Sequence, residues 1–179
     1  MLKRKKSKIL SKVKGLSSER CCLEIFYTQF SNKYIQNIKS GLDATYGFVL
    51  DISIGGELEL PKEAFNLQRD QYNADVLLLY LLNAKKTDTA LWVIQKDLYC
   101  RDMNFVFGLA EAHGSAVLSI YRLSNNEMME KEAIHEVGHV LGLQHCSSRC
   151  VMQFSNSLWE AKMKPSYLCN SCKKKVNIF

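Results

Sequence analysis

An α+β fold built on one mixed sheet is predicted by three features of this 179-residue sequence. Short apolar, β-like runs occupy its first two thirds, and one well-signalled helix follows them. The tail beyond that helix is short of regular signals and rich in cysteine and small polar residues. A hydrophobic share of 47% excludes a largely disordered chain. No apolar run reaches the roughly 20 residues of a membrane-spanning helix.

The elements follow in order. Leu23–Phe30 is mixed apolar and aromatic, and the spacing of Tyr34, Ile35 and Ile38 continues it as a helix. Tyr46–Ile54 reads as a strand ending in a turn at Gly55-Gly56, with a second short strand over Glu57–Leu60 before Pro61. Asn73–Leu82 is apolar almost throughout and reads as a buried helix, or a helix running into a strand. Leu91–Ile94, Phe105–Leu109 and Ser115–Leu123 read as strands. Asn125 or Asn126 then caps a helix with Glu127, Glu130 and Glu132 in its early turns and Met128, Ile134, Val137 and Leu141 on its apolar face. Gly142, free to take a positive φ, ends it.

The formal net charge of +6 is concentrated at one end. Lys3, Arg4, Lys5, Lys6, Lys8, Lys12 and Lys14 all precede the first acid, Glu19, and leave the remaining body close to neutral. Residues 1–20 therefore form a basic arm. It is read as a solvated terminus rather than a nucleic-acid surface, because it carries no aromatic interleaving. Ile9 and Leu10 do not open an apolar h-region, so no secretory signal is expected. An odd count of seven cysteines then points to a reducing cytoplasm rather than a disulfide framework.

His135-Glu136-Val137-Gly138-His139 matches HExxH, the zinc-peptidase pattern, and continues through Gly142 and His145 as HExxHxxGxxH. Four residues are about 400° of helix rotation, so His135 and His139 stack on one face at a spacing that fits zinc. Glu136 projects about 100° away and can reach a water on the metal without binding it. Gly142 breaks the helix so that the chain doubles back and presents His145 as a third ligand. Three of the chain's four histidines fall in this stretch.

Cys146, Cys150, Cys169 and Cys172 form a second constellation, Cx3C followed by CxxC. Both spacings suit structural zinc, whose four thiolates leave no position for water. A redox CxxC and two disulfides are the alternatives. Neither explains why the tightest group of cysteines abuts the third histidine. Cys21, Cys22 and Cys100 carry no assignable role.

The stretch from His135 to Cys172 resembles the archaemetzincins, metzincin-clan zinc metallopeptidases. Phe154-Ser155-Asn156-Ser157-Leu158 is similar to family sequence, as are Asp97-Leu98-Tyr99, Asn104–Gly108 and Tyr121-Arg122-Leu123. The resemblance implies a compact metzincin-like (zincin) fold with an upper subdomain over residues 21–142 and a lower one over 143–179. The lower one holds the third histidine, the cysteine site and a Met-turn at Met152. Where some metzincins place a metal-reaching tyrosine this chain has Phe154, which cannot ligate. Three residues, not the family's usual four, separate Cys146 from Cys150.

The expectation is a zinc-dependent, monomeric, cytoplasmic peptidase with two zinc ions, one catalytic and one structural, acting on peptide or protein substrates. Glu136 serves as general base, with His113 a candidate oxyanion helper. By family analogy Ser115–Leu123 is an edge strand that receives an extended peptide. The rival readings are a two-zinc peptide-binding module without hydrolysis and a nucleic-acid-associated protein led by its arm.

Overall fold

Leu23 and Ile25 alternate with exposed neighbours, and this period of two makes Cys21–Tyr27 the first strand, β1, of a computed structural model that describes residues 20–178. The predicted basic arm, apart from Arg20, lies outside the described residues. Ile35, Ile38, Leu42 and Tyr46 recur at helical spacing, and Ile35–Tyr46 is helix α1. Tyr46 therefore closes a helix instead of opening a strand. Strand β2 covers Leu50–Glu57 and pairs in parallel with β1. It runs through Gly55 and Gly56 rather than turning there, since the register slips by one residue between Ile54 and Gly56. Glu57–Leu60 forms no strand of its own.

Strands β3 (Phe65–Asn66) and β4 (Gln71–Asn73) lead into helix α2, Ala74–Ala84. Asn73 caps that helix by accepting from the N–H groups of Asp75 and Val76. Strand β5 is Thr89–Ile94, buried along its whole length. The pair Leu98–Tyr99, β6, completes a small sheet with β3 and β4. Strands β7 (Gly108–Ala110) and β8 (Ser115–Ser119) form the far end of the main sheet, ordered β2-β1-β5-β8-β7.

Within the main sheet β7 alone is antiparallel, and it is the edge beyond β8, with β2 the opposite edge. This corrects the placing of Ser115–Leu123 at an edge. Every residue of β8 is buried, and such a strand needs neighbours on both sides. The apolar run at Phe105 contributes one bridge, Val106 to Leu98, before β7 begins.

Asn125 accepts from Met128 N–H at 2.9 Å and starts helix α3, Asn126–Val140. Helices α1 and α3 lie on one face of the sheet and α2 on the other. Alternate residues of β5 divide accordingly, Leu91 and Val93 toward α3, Trp92 and Ile94 toward α2. The short helices α4 (Leu158–Met163) and α5 (Asn170–Lys175) belong to the C-terminal segment. Its Cys150, Val151, Met152, Leu168, Cys172 and Ile178 share one buried cluster with Ile134 and Val137 of α3. No described helix is long and apolar enough to cross a membrane.

Candidate active site and metal centres

Helix α3 is buried on almost every side, its polar residues Lys131, Glu132, His135 and Glu136 included. Burial of that many polar groups demands partners, and they come from the C-terminal segment. His135 Nδ1 lies 2.9 Å from the Val151 carbonyl and His139 Nδ1 2.8 Å from that of Leu143. A carbonyl accepts only, so each ring donates from Nδ1 and turns a bare Nε2 inward. Gly142, at φ 93°, makes the corner that returns the chain. His145 then reaches the same point, its ring 4.8 Å from that of His139 and 5.5 Å from that of His135.

Ring nitrogens of the three histidines all lie within 4.8 Å of one another, a set able to hold one metal ion. Burial lowers the affinity of all three for protons and takes His135 down to about 2. Neutral imidazole is the ligating form. Beneath them Met152 is fully buried against Gly138 of α3. The Phe154 ring lies tilted beside that of His145, with centroids 4.8 Å apart.

The histidines open into a cleft of about 320 Å³, which Glu136 also lines. Burial, reinforced by the neighbouring Glu132 carboxylate, raises Glu136 to about 8. The edge strand β7 forms the opposite wall, and a Cβ at Gly108 would stand 2.5 Å from the Glu136 carboxyl. That close approach needs a glycine. His113, by contrast, packs against the Gly142 corner and is not among the described residues lining the cleft.

Two residues of the cleft carry no sequence signal strong enough to single them out. Lys164, from the segment after α4, forms a buried ion pair with Glu132. Glu132 precedes His135 by one helical turn and so faces the same side, the only hint available. The cleft wall is braced by Asp97 and Arg122, joined at 2.7 and 2.6 Å, with Arg122 stacked over Phe105.

The sulfurs of Cys146, Cys150, Cys169 and Cys172 also gather within 4.8 Å. All seven cysteines are free, and Cys146 and Cys169 stand 3.8 Å apart at sulfur. The Cys172 N–H helps bring the Cys169 thiol down to about 7, while burial pushes Cys172 up. Four sulfurs in a tetrad fit zinc and leave it no open position. Of the remaining cysteines, Cys21 is buried, Cys22 exposed, and Cys100 lines the cleft.

Residues 56–178 match the sequence model of peptidase family M54. The archaemetzincin of Nanoarchaeum equitans is 43% identical over 120 residues, covering 67% of this chain and 71% of its own. That of Archaeoglobus fulgidus is 46% identical over 121 residues, covering 64% and 74%. Among solved structures, archaemetzincin from Archaeoglobus fulgidus, complexed with malonate, superposes with a TM-score of 0.79 at 35% identity. It covers 87% of this chain and 99% of that one. The Methanopyrus kandleri archaemetzincin gives 0.78 at 30% identity, covering 88% and 94%.

Proposed function

The chain belongs to peptidase family M54, the archaemetzincins, and is a zinc metallopeptidase; from that premise we propose that His135, His139 and His145 hold the catalytic zinc and that Glu136 is the general base. The observation that carries this reading is the convergence of three inward-facing imidazoles and one buried carboxyl on a single cleft. Zinc supplies Lewis acidity, acidifying water and polarising the scissile carbonyl. An extended peptide adds to the free edge of β7 and lies across the cleft, between residues 21–142 on one side and 143–179 on the other. Glu136 accepts a proton from the attacking water and delivers it to the departing amine. Phe154 supplies no ligand atom and leaves room for water and substrate. Met152 floors the histidine cluster.

Cys146, Cys150, Cys169 and Cys172 hold a second, structural zinc in the same reading, giving two ions in a monomer. The test is a peptide library digested by the zinc-loaded protein and read by mass spectrometry, with Glu136→Ala as its control. Cleavage should fall by about 10²–10⁴-fold in the variant while metal content stays. Equal cleavage by both proteins excludes Glu136 as base. Peptide retention with no cleavage by either marks a binding module instead.

A further inference from the structure

A second cavity, of about 380 Å³, lies away from the catalytic cleft and is lined by Gln29, Phe30, Lys33, Gln95, Lys96 and Tyr121, with Asn32 at its side. Its position follows from topology. Gln29–Lys33 leave the carboxyl end of β1, Gln95 and Lys96 that of β5, and Tyr121 that of β8. From β1 the chain crosses through α1 to β2 on one side, whereas β5 lies on the other side of β1. The loops after β1 and β5 thus diverge at the point where strand order reverses. In open sheets of parallel strands that crevice is where ligands bind, because backbone groups and loop side chains converge there with nothing packed over them.

The lining is specific in its chemistry. Lys33 and Lys96 bring two ammonium groups, and neither is paired with a carboxylate among the described residues. No acid lines the cavity. Phe30 and Tyr121, exposed by 68% and 61%, offer ring faces to a planar group. A pair of ammonium groups beside two exposed ring faces describes a site for a phosphorylated compound that carries a planar ring.

We propose that the crevice at the carboxyl ends of β1, β5 and β8 is a binding site for a nucleoside monophosphate, its phosphate held by Lys33 and Lys96 and its base laid on Phe30 or Tyr121. This site is independent of the catalytic reading above. It adds a small-molecule input to a protein whose known chemistry concerns peptides.

The test titrates the zinc-loaded full chain with AMP and with inorganic phosphate by calorimetry. AMP should bind with a dissociation constant on the order of 10⁻⁵ to 10⁻³ M, and phosphate at least about tenfold more weakly. The Lys33→Ala/Lys96→Ala variant, whose changes are on the surface, should lose AMP binding by about tenfold or more. Tyr121→Ala with Phe30→Ala should weaken AMP and leave phosphate unchanged. His139→Ala, which removes a ligand of the proposed catalytic zinc, should bind AMP as the parent does, which separates the crevice from the cleft. No heat of binding at millimolar AMP overturns the proposal. So does AMP binding that survives loss of both lysines, which would place it outside the crevice. Phosphate binding as tight as AMP also overturns it, because that outcome describes a bare anion site.

Discussion

Lys164 Nζ stands 2.9 Å from one carboxylate oxygen of Glu132 and 3.0 Å from the other, with the two side chains 2% and 3% exposed. The contact ties the segment after α4 to the middle of α3, and both residues line the cleft. Removing one partner of so enclosed a pair leaves a bare buried charge. Lys164→Met alone should therefore cost about 3–5 kcal/mol, while Glu132→Leu with Lys164→Met should recover most of that loss. Urea unfolding of the zinc-loaded proteins measures both. A single variant as stable as the parent would show that water reaches the pair.

The metal-free protein should have a stability plateau between pH 4.5 and 6.5 and lose stability on both sides. Glu136, raised from 4.5 to about 8, binds its proton more tightly when folded. Its contribution is complete below 4.5 and is lost as pH climbs to about 8. His135 is lowered from 6.5 to about 2, so its contribution is complete above 6.5 and drains away as pH falls. Between those limits the two slopes cancel. Thermal melts in chelator across this range should show Glu136→Gln without the alkaline decline, and an unchanged decline would assign it to another group.

Cys169→Ser should weaken zinc binding by the histidines, although residue 169 touches none of them. The path is short. Cys150 is followed by Val151, whose carbonyl holds His135, and Cys146 N–H donates to the Met152 carbonyl at 2.9 Å. Loosening the sulfur tetrad frees both anchors. Competitive chelator titration of parent against variant measures the coupling, and equal affinities would refute it.

Gly108→Ala should abolish most hydrolysis and keep the metal. The new methyl group would occupy the place of the Glu136 carboxyl, 2.5 Å away, and displace it without touching the histidines. A displacement of about 1 Å in a reacting group costs on the order of 10²-fold in rate. Steady-state kinetics beside metal analysis separates the two effects. Full activity would mean that β7 yields instead.

What the sequence disclosed was local. His135, Glu136 and His139 share one helix, Gly142 and His145 follow within a corner, and each cysteine pair spans five residues or fewer. Spacing alone encodes such geometry. The ion pair of Glu132 with Lys164 crosses 32 positions, and the bond from Tyr46 Oη to the Ile134 carbonyl crosses 88, so no pattern announces either. The strands after Phe105 depart from their sequence pattern for a related reason. Phe105–Leu109 is the more continuous apolar run, yet only Gly108–Ala110 joins the sheet edge. Apolar content reports burial, and here Phe105 is half-buried, with the Arg122 guanidinium over its ring in place of strand neighbours.

The carbonyls of Leu143 and Val151 fix more than the pose of two rings. With hydrogen held on both Nδ1 atoms, the Nε2 lone pairs of His135 and His139 confront each other 3.0 Å apart. Lone pairs at that range repel, and a cation between them turns the repulsion into attraction. The chelate cannot exist on a growing chain until residue 151 has left the ribosome and settled under α3. A histidine chelate is therefore a product of tertiary folding and not of the helix alone, because two carbonyls beyond α3 aim its rings.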